Sequence, residues 1–220
     1  MLLMFFVSGL FGAEPTTSGR RYSISPRTLA GRTIVVDPGH GGADPGTVGV
    51  GPTTEAENVL AIAWELKTLL EEAGARVILT RQSNVNPADG TAFSGLPNSQ
   101  LAARVAEANR VNADIFVSLH NDWSDDSSAA GSASYYYKSQ DWALADAIQR
   151  NLPAQLNSND RGVRHGNFYV LRNTSMPAVL VEIGFLSNAR EAELLSKRWY
   201  RLEAARGIFY GIIDYFYQMS

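Results

Sequence analysis

The chain reads as a single α/β domain, a mostly parallel, roughly six-stranded twisted sheet with helices on both faces. Three observations predict it. Past Arg32, β-rich runs alternate with runs of helical periodicity, the pattern of a mainly parallel sheet. Three of the β-rich runs each deliver one polar group, His40, His120 or Glu182, at or near the C-terminal end, where open α/β sheets bind ligands. Finally, 220 residues at 45% apolar composition suit one well-packed core and are short for two.

The elements follow in order. Thr33 to Asp37 is the first strand. Glu55 to Glu72 places Val59, Ile62, Ala63, Leu66, Leu69 and Leu70 at helical spacing, with a Thr54-x-x-Glu57 capping box before it and Gly74 as a breaker after it. Ala75 to Thr80 is a strand, Leu101 to Val111 a helix and Ile115 to Leu119 a strand; Ser134 to Lys138 adds a strand suited to a sheet edge. Asp141 to about Leu156 is helical in pattern, with Pro153 expected to kink or end it. Asn167 to Leu171 and Ala178 to Ile183 supply two more strands. Asn188 and Glu191 repeat the capping logic before a short helix, and Tyr200 to Tyr217 is an aromatic-rich helix. Asn84 to Ser99 and Asp122 to Ser132, rich in Asn, Asp, Gly, Pro and Ser, read as loops beside the candidate site.

Composition narrows the function. A net charge of −3 without a dense Lys/Arg run provides no electrostatic footprint for nucleic acid or an anionic membrane. With no cysteine, disulfides, thiolate metal sites and a cysteine nucleophile are excluded, so any metal ligand must be nitrogen or oxygen. Residues 1–13 have the length and apolarity of a signal-peptide core without its basic flank, and are too short to span a bilayer. They read as a partial export signal, followed by a linker or arm over 14–31 and the catalytic domain over 32–220.

The chemistry converges on four residues. His40 closes a buried strand in the turn Asp37-Pro-Gly-His-Gly-Gly42, where glycine lets backbone approach a ligand closely. His120 closes another strand, and Glu55 opens a helix with its neighbour Glu57 already used as a cap. Glu182 follows Ala178-Val-Leu-Val181, and a carboxylate buried there asks for a nearby cation. Imidazole and carboxylate are zinc ligands, and a catalytic zinc site keeps one position open beside three protein ligands. A metal-assisted hydrolysis is the reaction class these residue types suit. Gly39-His-Gly-Gly lacks the Lys-Ser/Thr ending of a phosphate loop.

In these contexts the chain resembles the zinc-dependent N-acetylmuramoyl-L-alanine amidases of the type 3 family, which cleave bacterial cell wall. The resemblance runs over nearly all of 32–217, through Val36-Asp-Pro-Gly-His-Gly-Gly, Glu55-Ala-Glu-Asn-Val-Leu-Ala-Ile-Ala, Phe116-Val-Ser-Leu-His and Met176-Pro-Ala-Val-Leu-Val-Glu-Ile-Gly-Phe-Leu-Ser-Asn. It implies zinc on His40, Glu55 and His120, with Glu182 as catalytic acid and base. The implied substrate is the amide between the lactyl group of N-acetylmuramic acid and L-alanine. Asn121-Asp-Trp123 departs from the family pattern. Asn121 and His165 are the candidate substrate contacts. The competing readings are a zinc peptidase acting within the stem peptide and a non-catalytic peptidoglycan-binding module. The expected setting is an exported monomer in the periplasm, cell wall or outside the cell, with peptidoglycan as partner. About sixty residues separate His120 from Glu182, too few for an occluding helix besides the expected elements, so no obligatory activator protein is expected.

Overall fold

The computed structural model describes residues 24, 25 and 27–219. The export signal expected over 1–13 and most of the arm expected over 14–31 lie outside the described residues. Six strands, β1 (Thr33–Pro38), β2 (Arg76–Leu79), β3 (Ile115–Asp122), β4 (Ser132–Tyr136), β5 (Asp160–His165) and β6 (Ala178–Phe185), form one sheet. Around them run α1 (Glu55–Glu72), α2 (Ser99–Arg110), α3 (Trp142–Leu156), α4 (Tyr169–Asn173), α5 (Ala189–Ser196) and α6 (Arg198–Gln218). The strand order is β2-β1-β3-β6-β4-β5, parallel throughout except where β4 meets β6.

The period-2 alternation of the strands divides the sheet into two chemically different faces. Ile34, Val36, Val117, Leu119, Val179, Val181 and Ile183 point into the larger core, against buried residues of α1, α3, α5 and α6. Val35, Phe116, Ala178 and Leu180 point the other way, toward Val105 and Ala108 of α2 and Val170 and Leu171 of α4. Continuing that second alternation by one step reaches Asp37, Ser118 and Glu182, and by a second step in β3 reaches His120. These four polar groups thus fall on the side covered by α2 and α4.

The larger core is tightly made. Gly207 and Gly211 of α6 lie against Leu152 and Ile148 of α3, where an added Cβ would approach their Cα atoms to 2.9 and 2.5 Å. The expected capping box opens α1: Thr54 Oγ1 accepts from the Glu57 N–H at 3.3 Å and Glu57 Oε2 accepts from the Thr54 N–H at 2.9 Å. Leu29, within the segment expected to be an arm, is buried, and its N–H donates to the Ala73 carbonyl at 2.8 Å.

Four expectations need correction. The strand expected over Asn167 to Leu171 is instead the short helix α4, and the sheet takes Asp160–His165 as β5. The segment Asp-Arg-Gly-Val-Arg-His offers only Val163 to the core, so an edge strand paired on one side left no alternation to read. β4 is not an edge strand; it lies between β6 and β5. α3 runs through Pro153 to Leu156, because one turn remains beyond the proline and α6 packs along the helix. Asn188 caps α5 by accepting from the Arg190 and Glu191 N–H groups, but the Glu191 carboxylate does not return to it, accepting instead from Gly131 and Phe185.

Candidate metal centre

The site forms where β1, β3 and β6 end and α1 begins. Adjacent strands place Ser118 beside Asp37, and His120 beside Glu182. Beyond β1 the chain turns sharply: Gly39 N–H donates to the Leu119 carbonyl at 3.0 Å, and His40 itself is left-handed, with φ 59°. Such a conformation is uncommon for a residue with a Cβ and persists only where the surroundings enforce it. The His120 ring lies over Gly39, where a Cβ would meet its Cε1 at 2.3 Å, so close approach requires glycine there.

Glu55 is the hub. Its Oε1 lies 2.8 Å from His120 Nδ1 and 3.0 Å from His40 Nε2, and accepts from the Asn121 N–H at 3.0 Å. Its Oε2 accepts from the Thr47 N–H at 2.8 Å. The other nitrogen of His40, Nδ1, is 2.9 Å from Asp44 Oδ2, while Asp44 Oδ1 accepts from the Gly46 N–H at 3.0 Å. Burial alone would raise the Glu55 carboxyl, but hydrogen bonds and charge from His120 and His40 outweigh it and hold Glu55 well below the usual carboxylate range. For His40, burial lowers the imidazole, yet Glu55 and Asp44 together raise it above the ordinary value.

A cation fits this set. One ligand atom from each of His40, Glu55 and His120 lies within 4.8 Å of the others, and the two Glu55–imidazole separations are 3.0 and 2.8 Å. Zinc–ligand distances of about 2.0–2.1 Å put neighbouring tetrahedral ligands roughly 3.3 Å apart, so in a filled site the two Glu55–imidazole separations open slightly and any wider separation within the cluster closes. Two nitrogens and one carboxylate oxygen suit zinc, and the Asp44 partner of His40 is the outer carboxylate that metal-bound histidines commonly carry.

Glu182 shares a cavity of about 560 Å³ with His40 and His120. Its Oε2 is sealed from solvent without a hydrogen-bond partner. Burial first, then the charges of Glu55 and Asp122, push its carboxyl well above the usual range. Leu101, Phe168, Val170 and Leu180 supply an apolar wall to the same cavity. Neither Asn121 nor His165 lines it. Asn121 is buried and serves Glu55 through its N–H, while its Nδ2 donates to the His120 carbonyl at 3.1 Å. His165 ends β5, exposed, with its ring against Tyr136 and Tyr137.

Sequence reasoning missed the supports beneath the site. Asp37, 1% exposed, accepts from Arg104 Nη1 at 2.5 Å, Thr80 Oγ1 at 2.6 Å and Ser118 Oγ at 2.7 Å. Burial would raise its carboxyl, but Arg104 and these donors keep it low. Arg104 Nη1 also donates to the Pro38 carbonyl at 2.8 Å, and Nη2 donates to the His40 carbonyl. Asp44 had a readable signal, four residues past His40 in a glycine-rich turn. Nothing local marked the arginines.

Over residues 34–214 the chain matches the N-acetylmuramoyl-L-alanine amidase family. It belongs to that family. The N-acetylmuramoyl-L-alanine amidase LytC of Bacillus subtilis (strain 168) is 36% identical over 211 residues, covering 94% of this chain and 40% of LytC. The germination-specific N-acetylmuramoyl-L-alanine amidase of the same strain is 37% identical over 194 residues, covering 86% of this chain and 81% of the relative. Among solved structures, the CwlD amidase of Clostridioides difficile, seen in complex with the GerS lipoprotein, aligns with a TM-score of 0.79 at 33% identity, covering 85% of this chain and 99% of that one. The amidase fold expected from the sequence is therefore the fold of its relatives, and no helix among the described residues of this amidase is long and apolar enough to cross a membrane.

Proposed function

We propose that this domain hydrolyses the amide between the lactyl group of N-acetylmuramic acid and L-alanine in bacterial peptidoglycan, with zinc held by His40, Glu55 and His120 and protons carried by Glu182. The observation that carries the reading is one cavity lined by His40 and His120 of the three-ligand cluster together with Glu182, whose Oε2 is sealed from solvent and unpartnered. Bound there, zinc would supply a Lewis acid toward a carbonyl oxygen and would lower the pKa of a coordinated water toward about 7. Asp44 accepts from His40 Nδ1, which leaves Nε2 as the nitrogen facing Glu55 and the cluster, where a bound metal would take its lone pair. Thr47 and Asn121 hold the Glu55 carboxylate with main-chain N–H groups, so its Oε1 faces both histidines in one orientation.

Glu182 takes a proton from the attacking water and returns it to the leaving nitrogen. Its raised carboxyl suits a group that must hold a proton near neutral pH before passing it on. The apolar wall of Leu101, Phe168, Val170 and Leu180 limits competing water around the reacting amide. We read the domain as an exported enzyme of the cell wall that works as a monomer and without an obligatory activator. In support, β4, α3, β5 and α4 account for about half of the stretch between His120 and Glu182, and the side chains of His40 and His120 retain 25% and 20% exposure.

The test is digestion of purified peptidoglycan with mass analysis of the products. Intact stem peptides with free L-alanine amino termini, released from glycan strands, are expected, with activity lost on chelation and restored by zinc. Cleavage between stem amino acids would make the enzyme a peptidase, full hydrolysis after metal removal would end the zinc reading, and silence until a partner is added would end the activator-free one.

A further inference from the structure

Two of the three ligands, His40 and Glu55, lie on separate segments. His40 sits in the loop after β1, Glu55 at the first position of α1, and the intervening residues are loop. Arg81, just past β2, is 3% exposed and spans both. Its Nε donates to the Pro38 carbonyl at 2.9 Å and its Nη2 to the Gly39 carbonyl at 2.7 Å, the two residues before His40. The same Nη2 donates to the carbonyl of Ala56, the residue after Glu55, at 2.9 Å, and Nη1 donates to the Ser83 carbonyl at 3.0 Å. All four bonds end on main-chain oxygens. A buried cation is costly without direct compensation, and the N-terminal turn of a helix is the electrostatically wrong end for one. Burial accordingly lowers this guanidinium to about 10, helped by the nearby charge of Arg104. The planar fork, which donates in fixed directions, explains the choice where a point charge would not.

From this geometry we infer that Arg81 is a positioning residue for the metal centre: its guanidinium fixes the His40 loop and the start of α1 relative to one another, and so sets the separation of the two ligands they bear. Gly41 belongs to the same device, because a Cβ there would meet the Arg81 Cδ and Nε at 2.8 Å. The left-handed His40 is thereby held from beneath through the carbonyls preceding it. The inference rests on the reading of His40 and Glu55 as ligands.

The experiment measures zinc affinity of the whole chain by competition with a chelating dye, alongside the melting temperature with and without zinc. Arg81→Met removes the donors and keeps much of the volume; Arg81→Lys keeps the charge but cannot bond both segments as a fork. Both should bind zinc about 10- to 100-fold more weakly, the scale for groups that orient metal ligands, and both should show a smaller zinc-induced rise in melting temperature. Leu152→Ala, a cavity variant in the opposite core, should lower the melting temperature with and without zinc by similar amounts and leave zinc affinity unchanged. Arg81 variants that melt early but bind zinc within about twofold of the wild type would overturn the inference, as would failure of both to fold even with zinc present; each assigns Arg81 to the fold alone. A wild-type chain that binds no zinc would instead defeat the metal reading itself.

Discussion

Arg104→Met tests whether the ion pair beneath the His40 loop is a principal support of the fold. The substitution leaves the Asp37 carboxylate, 1% exposed, with only Thr80 and Ser118 as the hydroxyl donors and deprives the Pro38 and His40 carbonyls of a partner. Removing one member of a buried pair typically costs about 3–5 kcal/mol, because the other charge stays buried. At about 2–4 °C per kcal/mol for a chain of this size, the melting temperature should fall by roughly 6–20 °C at pH 7. The sign with pH follows from the lowered Asp37 carboxyl. In the wild type the pair contributes stability above the unfolded value of about 3.9 and loses it as pH falls through the depressed folded value. In the variant, burial without Arg104 raises the folded value, so the carboxylate destabilises increasingly as pH rises above the unfolded one. The deficit should therefore be largest near neutrality and shrink toward pH 4. Urea unfolding of both proteins with chelator present, from pH 4 to 7, measures it, and Asp37→Asn combined with Arg104→Met should recover part of the loss. A deficit below about 1 kcal/mol at pH 7, or one that does not change with pH, would refute the argument.

Glu182→Gln should keep zinc and the fold while lowering hydrolysis by about 10²–10⁴-fold, the contribution of general acid–base catalysis; loss of zinc in that variant would make Glu182 a ligand. Asp44→Asn weakens the group that orients His40 and should lower zinc affinity about 10- to 100-fold with Glu182 untouched, read by dye competition. Glu57→Gln should retain zinc and nearly full activity because Glu57 works in the α1 cap, and a collapse of zinc affinity there with Glu55→Gln tolerated would reverse the choice of carboxylate. Thr54→Ala should cost about 1 kcal/mol in denaturant unfolding by removing that cap, with no change in metal content.

Much of the site was legible because its signals are local. A strand that ends in Pro-Gly-His-Gly-Gly, a second that ends in His120 and a helix opened by Glu55 each declare themselves within a few residues, and the parallel sheet then gathers their ends. β5 was not legible, since an exposed edge strand need not alternate, and Phe168-Tyr-Val-Leu171 has strand-like composition in a segment whose residues 169–173 form a helix turned toward α2. The Asp37–Arg104 pair spans 67 residues and the Arg81 bonds to Pro38 and Gly39 span 43 and 42, distances at which no periodicity or motif reports a contact. Asn121 illustrates a subtler limit: its identity suggested a side-chain role, whereas its contact with Glu55 is made by a main-chain N–H that any residue but proline supplies.

The unequal covering of the two sheet faces separates what this protein must conserve from what it can vary. His120 and Glu182 are anchored in strands, and His40 follows directly on one, whose opposite side is locked by α1, α3 and α6, while much of the cavity wall comes from the start of α2 and from Phe168, Tyr169 and Val170 around α4. Leu101 and Phe168, the exposed residues of that wall, can be exchanged without disturbing the packing that folds the chain. A lineage, or a laboratory library confined to those positions, can therefore explore new wall chemistries and new substrates with the hydrolytic apparatus carried along intact.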